Sequence, residues 1–285
     1  MSTCWIKVSQ ICNSPIFAIT KQIIRQKLFS TRMIVLLPIL ILFLPGMAWG
    51  FSDPDVMLPG GIKPADTMEV MFFTSLGIVF AATMGGVILS FDGVSRDRDS
   101  GVLEIKLSQP IQRDTYSNSI MLGHWFSILI PTWVLWGISM ILVANRLDDY
   151  PPVNEIIFSF VSVALILLWY VQFTLIASTL TKDQGTSVAF GIGTWFLFTF
   201  LWALITSMVA YASGVEIGDS KDAGWITLEG FLDLLSPNGV FHHLLEINLP
   251  DIDRGVPSYV SILAAIIWSV LPWLWFNSRM RHIQP

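Results

Sequence analysis

Six apolar stretches, each long enough to cross a bilayer, run through the chain at about 33–51, 68–90, 120–143, 155–178, 186–211 and 257–277. A helix needs about 20 mainly apolar residues to span the hydrocarbon core. The reading is therefore an all-α polytopic membrane protein with six transmembrane helices. Within these runs the only acidic, basic or histidine side chains are Glu69 and Glu155 at outer ends and His124 near an inner end. Carriers driven by ion or proton gradients usually bury such groups at mid-membrane. None stands there, so uphill movement of a solute through this chain would need energy from outside the membrane.

Hydrophobic residues make up 53% of the 285 and charged ones 13%, with a mean hydropathy of +0.65, which rules out a soluble domain. One transmembrane domain over 1–285 accounts for the whole length. Cys4 and Cys12 precede the first span and cannot frame a disulfide-stapled fold; they read as reduced and incidental. Ala48-Trp49-Gly50 faintly resembles a signal-peptidase site, but 32 residues precede the span, far more than a signal peptide's basic n-region, so the span is expected to stay. Pro38 and Pro45 predict a kink there, which neighbouring helices can accommodate.

Lysine and arginine give the expected orientation. With the N-terminus inside, twelve of them lie on inner segments; only Lys63, Arg146, Lys221 and Arg254 lie outside. By the positive-inside rule both termini are cytoplasmic, in the plasma membrane. Six acidic residues fall inside and fifteen outside, so the net charge of −5 hides a basic inner face and an acidic outer one. The inner face suits anionic lipid headgroups.

Three polar segments carry the remaining pattern. Residues 15–32 read as an amphipathic interfacial helix: Ile16, Ile19 and Ile23 share one side, Lys21, Arg25 and Arg32 the other. Lys27 and Phe29 break the pattern. Residues 91–119 form the longest inner loop, dense in alternating charge and punctuated by Gly101 and Pro110, which predicts two short helices leading into the third span. In the outer loop at 212–256, Thr227 can cap a short helix that ends at Ser236-Pro237-Asn238-Gly239. A second apolar piece, Val240 to Ile247, completes what reads as a partly re-entrant cap before the last span.

Small residues recur at four-residue spacing as Gly77, Ala81, Gly85 and as Gly185, Ala189, Gly193. Such stripes let helices approach closely in lipid; the residues pack or line a pathway. Trp195 and Phe198 lie deep in the fifth span, against either core or an apolar solute. His242, His243 and Glu246 offer a weak metal site on the outer loop: a histidine and a carboxylate one turn apart can share an ion, although adjacent histidines diverge. The chain has no phosphate-cradling G-x-x-x-x-G-K-[ST], no H-E-x-x-H and no G-x-S-x-G, so no catalytic role is expected.

The inner loop carries a resemblance. Gly101-Val102-Leu103-Glu104 followed by Leu107-Ser108-Gln109-Pro110-Ile111-x-Arg113 is similar to the loop of ABC type-2 permeases, the membrane subunits of ATP-driven transporters. The preceding amphipathic helix, six spans and helical outer loop match as well. The subgroup it most resembles includes the permease of the nitrous-oxide-reductase maturation transporter. Val102 replaces a usual Thr, and Gly123-His124 stands where Gly-Lys is expected. The resemblance implies a homodimer of permeases with separate ABC ATPase subunits, which hold the ATP and magnesium; this chain itself needs no cofactor and no nucleic acid. Arg96, Arg98, Glu104, Ser108, Gln109, Pro110 and Arg113 would make the coupling contact, and transport would be export. The alternatives are an ion channel or secondary carrier, and a membrane scaffold or sensor subunit without transport of its own.

Overall fold

The computed structural model describes residues 15–53, 55–57, 66–218, 222–247, 249 and 255–283. Cys4 and Cys12 lie outside them, as do Lys7, Lys63, Lys221 and Arg254. Eleven helices follow one another with no strand among the described residues, and six are long and apolar enough to cross a membrane. They are α1 (Pro15–Leu28), α2 (Thr31–Phe51), α3 (67–90), α4 (Ser95–Asp99), α5 (Val102–Leu107) and α6 (Arg113–Leu147). Then come α7 (Val153–Leu180), α8 (Gln184–Ser213), α9 (Ala223–Asp233), α10 (Pro237–Glu246) and α11 (Ser258–His282). The end of the bundle that carries α4 and α5 is called inner, after the lysine and arginine bias.

Helix α7 is the hub, contacting α3, α6, α8, α10 and α11. Lipid supplies no hydrophobic drive between helices, so association rests on close packing and hydrogen bonds. Three tryptophans of α6 supply the latter: Trp125 and Trp133 donate to the Ala164 and Phe160 carbonyls at 2.9 Å, and Trp136 to Ser159 Oγ at 2.7 Å. Gln172 Nε2 and Trp169 Nε1 tie α7 to Ser269 on α11.

Three spans contain a π-helical turn, at Leu42–Gly46, Ile78–Ala82 and Leu197–Leu201. Each widened turn frees backbone groups that lipid cannot satisfy. Trp195 Nε1 reaches Val79 O at 3.3 Å and Thr83 Oγ1 at 2.9 Å, and Asn238 Nδ2 donates to Phe198 O at 3.0 Å. The turn in α2 follows Pro38 and contains Pro45, so the expected disturbance of that span takes this form.

Several expectations shift in register. The segment expected as one helix over 15–32 stops at Leu28, because Ser30 accepts from Met33 N at 3.3 Å and opens α2; Arg32 belongs to α2. In the outer loop Asp222, not Thr227, caps α9, accepting from the Gly224 and Trp225 amides, while Thr227 bonds back to Ala223 O inside the helix. Ser236-Pro237 opens α10 instead of closing α9, as Pro at the first helical position favours. Helix α10 is almost wholly buried, packed between α7, α9 and α11. Helix α6 has 35 residues, a length of about 52 Å at 1.5 Å per residue, against a hydrocarbon core of about 30 Å. Its inner end therefore extends beyond the apolar run, and α1 packs lengthwise on it.

Candidate coupling site on the inner face

The inner loop is built from short helices because its sequence alternates breaks with one-turn runs. Gly101 takes φ +70°, a left-handed conformation that costs glycine little, and separates α4 from α5. Leu103 is buried and Leu107 half-buried, so the apolar side of α5 turns inward. Pro110 follows the end of α5, in the bend that leads into α6.

Four sets of contacts fasten the inward side. Asp92, only 4% exposed, accepts a salt bridge from Lys27 Nζ of α1 at 2.7 Å and from Arg32 Nη1 of α2 at 3.0 Å. This explains why Lys27 interrupts the amphipathic pattern of α1. Burial pushes the Lys27 ammonium below its ordinary range, and Asp92 opposes that shift. Next, Ser178 Oγ near the end of α7 accepts from the Val94 and Ser95 amides at 3.0 and 2.8 Å, capping the start of α4. Arg98 Nη1 returns the favour at the α7 C-terminus, donating to Thr179 O at 3.3 Å and Thr181 O at 2.8 Å, where orphan carbonyls and the helix dipole favour a cation. Finally, Lys106 Nζ holds Asp97 at 2.6 Å, and the Tyr116 hydroxyl of α6 donates to the same carboxylate at 3.4 Å.

The residues expected at a partner contact therefore divide. Arg96 on α4, Glu104 on α5, and Ser108, Gln109 and Pro110 in the bend that follows are exposed. Arg96 stands 4.0 Å from Asp92 with most of its side chain in the open. Arg98 and Arg113 are instead committed within the chain. Arg113 Nη1 donates to Arg281 O at 2.6 Å and Ile283 O at 3.1 Å, binding the end of α11, where Arg281 forks onto Asp114. Sequence reasoning missed Ile105, an apolar side chain 64% exposed at the tip of α5, and the anchors Lys27, Arg32 and Asp92. The Lys27 anomaly was the available signal; the pairing over 65 positions was not visible.

The glycine stripes also differ from one another. A Cβ on Gly77 would lie 2.2 Å from Phe43 O, and one on Gly85 would lie 2.6 Å from Leu36, with Ala81 buried between them. That stripe seats α3 against α2. Gly185, Ala189 and Gly193 are exposed, and nothing lies within 4 Å of a Cβ on Gly193. Only 6% of the most apolar stretch of α8 is buried, against 67% for α3, so α8 shows one long face to its surroundings. Trp195 serves the π turn of α3, and Phe198 packs at an angle against the rings of Phe173 and Trp202 and edge-to-face on Trp268.

The outer histidines sit in packing. His242 meets Phe72 edge-on at 5.8 Å, and His243 Nδ1 lies 3.3 Å from Ser261 Oγ, with His243 and Glu246 buried on α10. Among the described residues no three His, Cys, Asp or Glu side chains gather in a way that could hold a metal ion. The three residues lie on one short helix with the histidines turned to different neighbours, as the divergence of adjacent helical positions requires.

No curated protein matches the chain at a significant level. A family model does, over residues 16–275, which takes in every helix from α1 to most of α11. With its six apolar spans and this match, the chain is a multi-pass membrane protein that belongs to the ABC-2 family of transporter proteins, membrane components that usually rely on a partner ATPase.

Proposed function

We propose that this chain is the permease subunit of an ATP-driven exporter, and that the outward side of α4 and α5 seats a separate ABC ATPase subunit. One observation carries the reading. The loop has an exposed face holding Arg96, Glu104, Ile105, Ser108 and Gln109, while its opposite side is bonded to α1, α2, α6 and α7. A push on such a loop moves whole helices rather than a flexible connection.

The chemistry divides accordingly. ATP and magnesium belong to the ATPase, whose closure displaces α4 and α5. Arg98 passes the displacement to α7, and Asp92 passes it to α1 and α2. Arg96 and Glu104 supply charge-assisted hydrogen bonds to the ATPase, and Ile105 supplies the apolar centre of the contact. Two copies of the permease meet through the open face of α8, where Gly185, Ala189 and Gly193 allow close approach. Export is carried by the family resemblance alone, since no residue of the chain sets direction, and the likeness to the nitrous-oxide-reductase maturation subgroup is supported by the loop sequence at 101–113.

The test is site-specific crosslinking in native membranes. With Cys4 and Cys12 replaced by serine, single cysteines replacing Glu104, Ser108 or Gln109 should give a crosslink to an ATP-binding polypeptide, and one replacing Tyr211, exposed at the far end of α8, should not. Labelling that is equal at both ends, or that captures no ATP-binding protein, would overturn the reading.

A further inference from the structure

Beside the exposed face lies a cleft of about 1030 Å³, walled by α1, the start of α2, the α4–α5 unit and the inner end of α6. Its lining brings Lys27, Arg32, Arg96 and Lys106 against only two carboxylates, Asp92 and Asp97. The wall thus carries two positive charges in excess. The cleft also reaches His124, which is 3% exposed. Its Nδ1 lies 2.8 Å from Ile120 O, which assigns the ring proton to Nδ1 and leaves Nε2 an acceptor. Among the described residues that Nε2 is buried without a hydrogen-bond partner. A buried acceptor left so is destabilising, and a ligand carrying a donor would relieve it.

The surroundings say what kind of anion fits. Thr31 and Arg32 line the cleft, and one turn further along α2 come Ile34 and Val35, exposed by 68% and 62%. A polar head held in the cleft would have an apolar track directly beside it.

We propose that this cleft binds the headgroup of an anionic inner-leaflet glycerophospholipid that bears a free hydroxyl, as phosphatidylglycerol does. The phosphate sits among Arg32, Lys106 and one edge of the Arg96 guanidinium, whose other donors stay free for the ATPase; the hydroxyl donates to His124 Nε2, and the acyl chains follow α2. The bound lipid bridges α1 to the α4–α5 unit, so the composition of the inner leaflet tunes the loop that the ATPase pushes.

Native mass spectrometry of the delipidated full-length chain, titrated with phosphatidylglycerol or phosphatidylcholine, tests this. The expected result is one phosphatidylglycerol retained per chain, at least tenfold tighter than phosphatidylcholine. The double variant Arg96→Gln, Lys106→Gln should lose that preference. Arg96→Gln alone, at a side chain 69% exposed and hence tolerant of change, should weaken it several-fold. Lys21→Gln, Arg25→Gln removes the same charge from exposed positions outside the cleft and should leave it intact. Equal retention of the two lipids, or equal loss in both double variants, would overturn the proposal. So would displacement of the lipid by millimolar glycerol phosphate, which would assign the cleft to a soluble phosphate instead.

Discussion

Asp92→Asn probes the anchor between the inner loop and the first two helices, since the amide keeps the shape and removes the charge. The side chain of Asp92 is 2% exposed, with Lys27 at 17% and Arg32 at 34%. Breaking a buried pair by removing one partner costs about 3–5 kcal/mol. Arg32 can turn toward water, so Lys27 bears the loss and the lower figure, about 3 kcal/mol, applies. A ceiling follows from the escape open to Lys27: shedding its proton at pH 7 costs about 4.6 kcal/mol for a lysine of ordinary pKa near 10.4. Burial already holds that ammonium below its usual range with Asp92 resisting, and without Asp92 it falls further. In the variant the unfolded chain then binds more protons than the folded one, so stability rises with pH. The gain is up to about 1.4 kcal/mol per pH unit between the lowered Lys27 value and the ordinary one. Wild type keeps the pair charged over more of that window and changes less. Equilibrium unfolding of the purified chain in mild detergent at pH 7 and pH 9, followed by tryptophan fluorescence, should show a gap that narrows at pH 9. A variant within about 0.5 kcal/mol of wild type at pH 7, or a gap that does not change with pH, would refute the argument.

Other substitutions should separate the packing surfaces. Gly123→Leu drives a side chain into Ile23, whose Cβ already lies 2.7 Å from the place a Cβ would occupy; α1 should detach from α6, seen as new protease cleavage near Phe29 and a loss of about 1–3 kcal/mol. Gly77→Ala meets the backbone oxygen of Phe43 and should destabilise by a similar amount, whereas Gly193→Ala, in open space, should leave the melting temperature unchanged. Gly193→Leu should weaken self-association of the chain in crosslinking or analytical ultracentrifugation without lowering its stability. Trp195→Phe removes the donor to Thr83 and Val79 and should cost about 1 kcal/mol, measured by thermal unfolding.

What the sequence made legible follows from which interactions are local. The six spans were readable because each is a continuous apolar run, and their helices end within about five residues of the hydropathy limits except in α6. That helix runs on through polar residues 113–119, held by contacts with α1 and α11 that no local pattern announces: Thr20 to Ser119, Ser117 to Asn277 and Arg281 to Asp114. The exposed half of the inner loop was legible as a charged segment with Gly101 and Pro110 as punctuation. Arg98 and Arg113 looked no different from Arg96 in sequence. Their commitment to the ends of α7 and α11 depends on where distant helices terminate. The π turns were hidden too, since they are made acceptable by partners on other helices, Trp195 and Asn238, rather than by their own residues. The misplaced cap at Thr227 was a competition between two good capping residues, and Asp222, five positions earlier, starts the helix first.

Permease function through the α4–α5 face is tested most directly by purifying the tagged chain from native membranes and measuring the ATPase activity that accompanies it. Permease function through this face predicts an ATP-hydrolysing partner with wild type, lost in Ile105→Asp and in Glu104→Arg, while both variants unfold at the wild-type temperature because these side chains are exposed. A folded chain that brings no ATPase with it, or an ATPase retained unchanged in both variants, would contradict it.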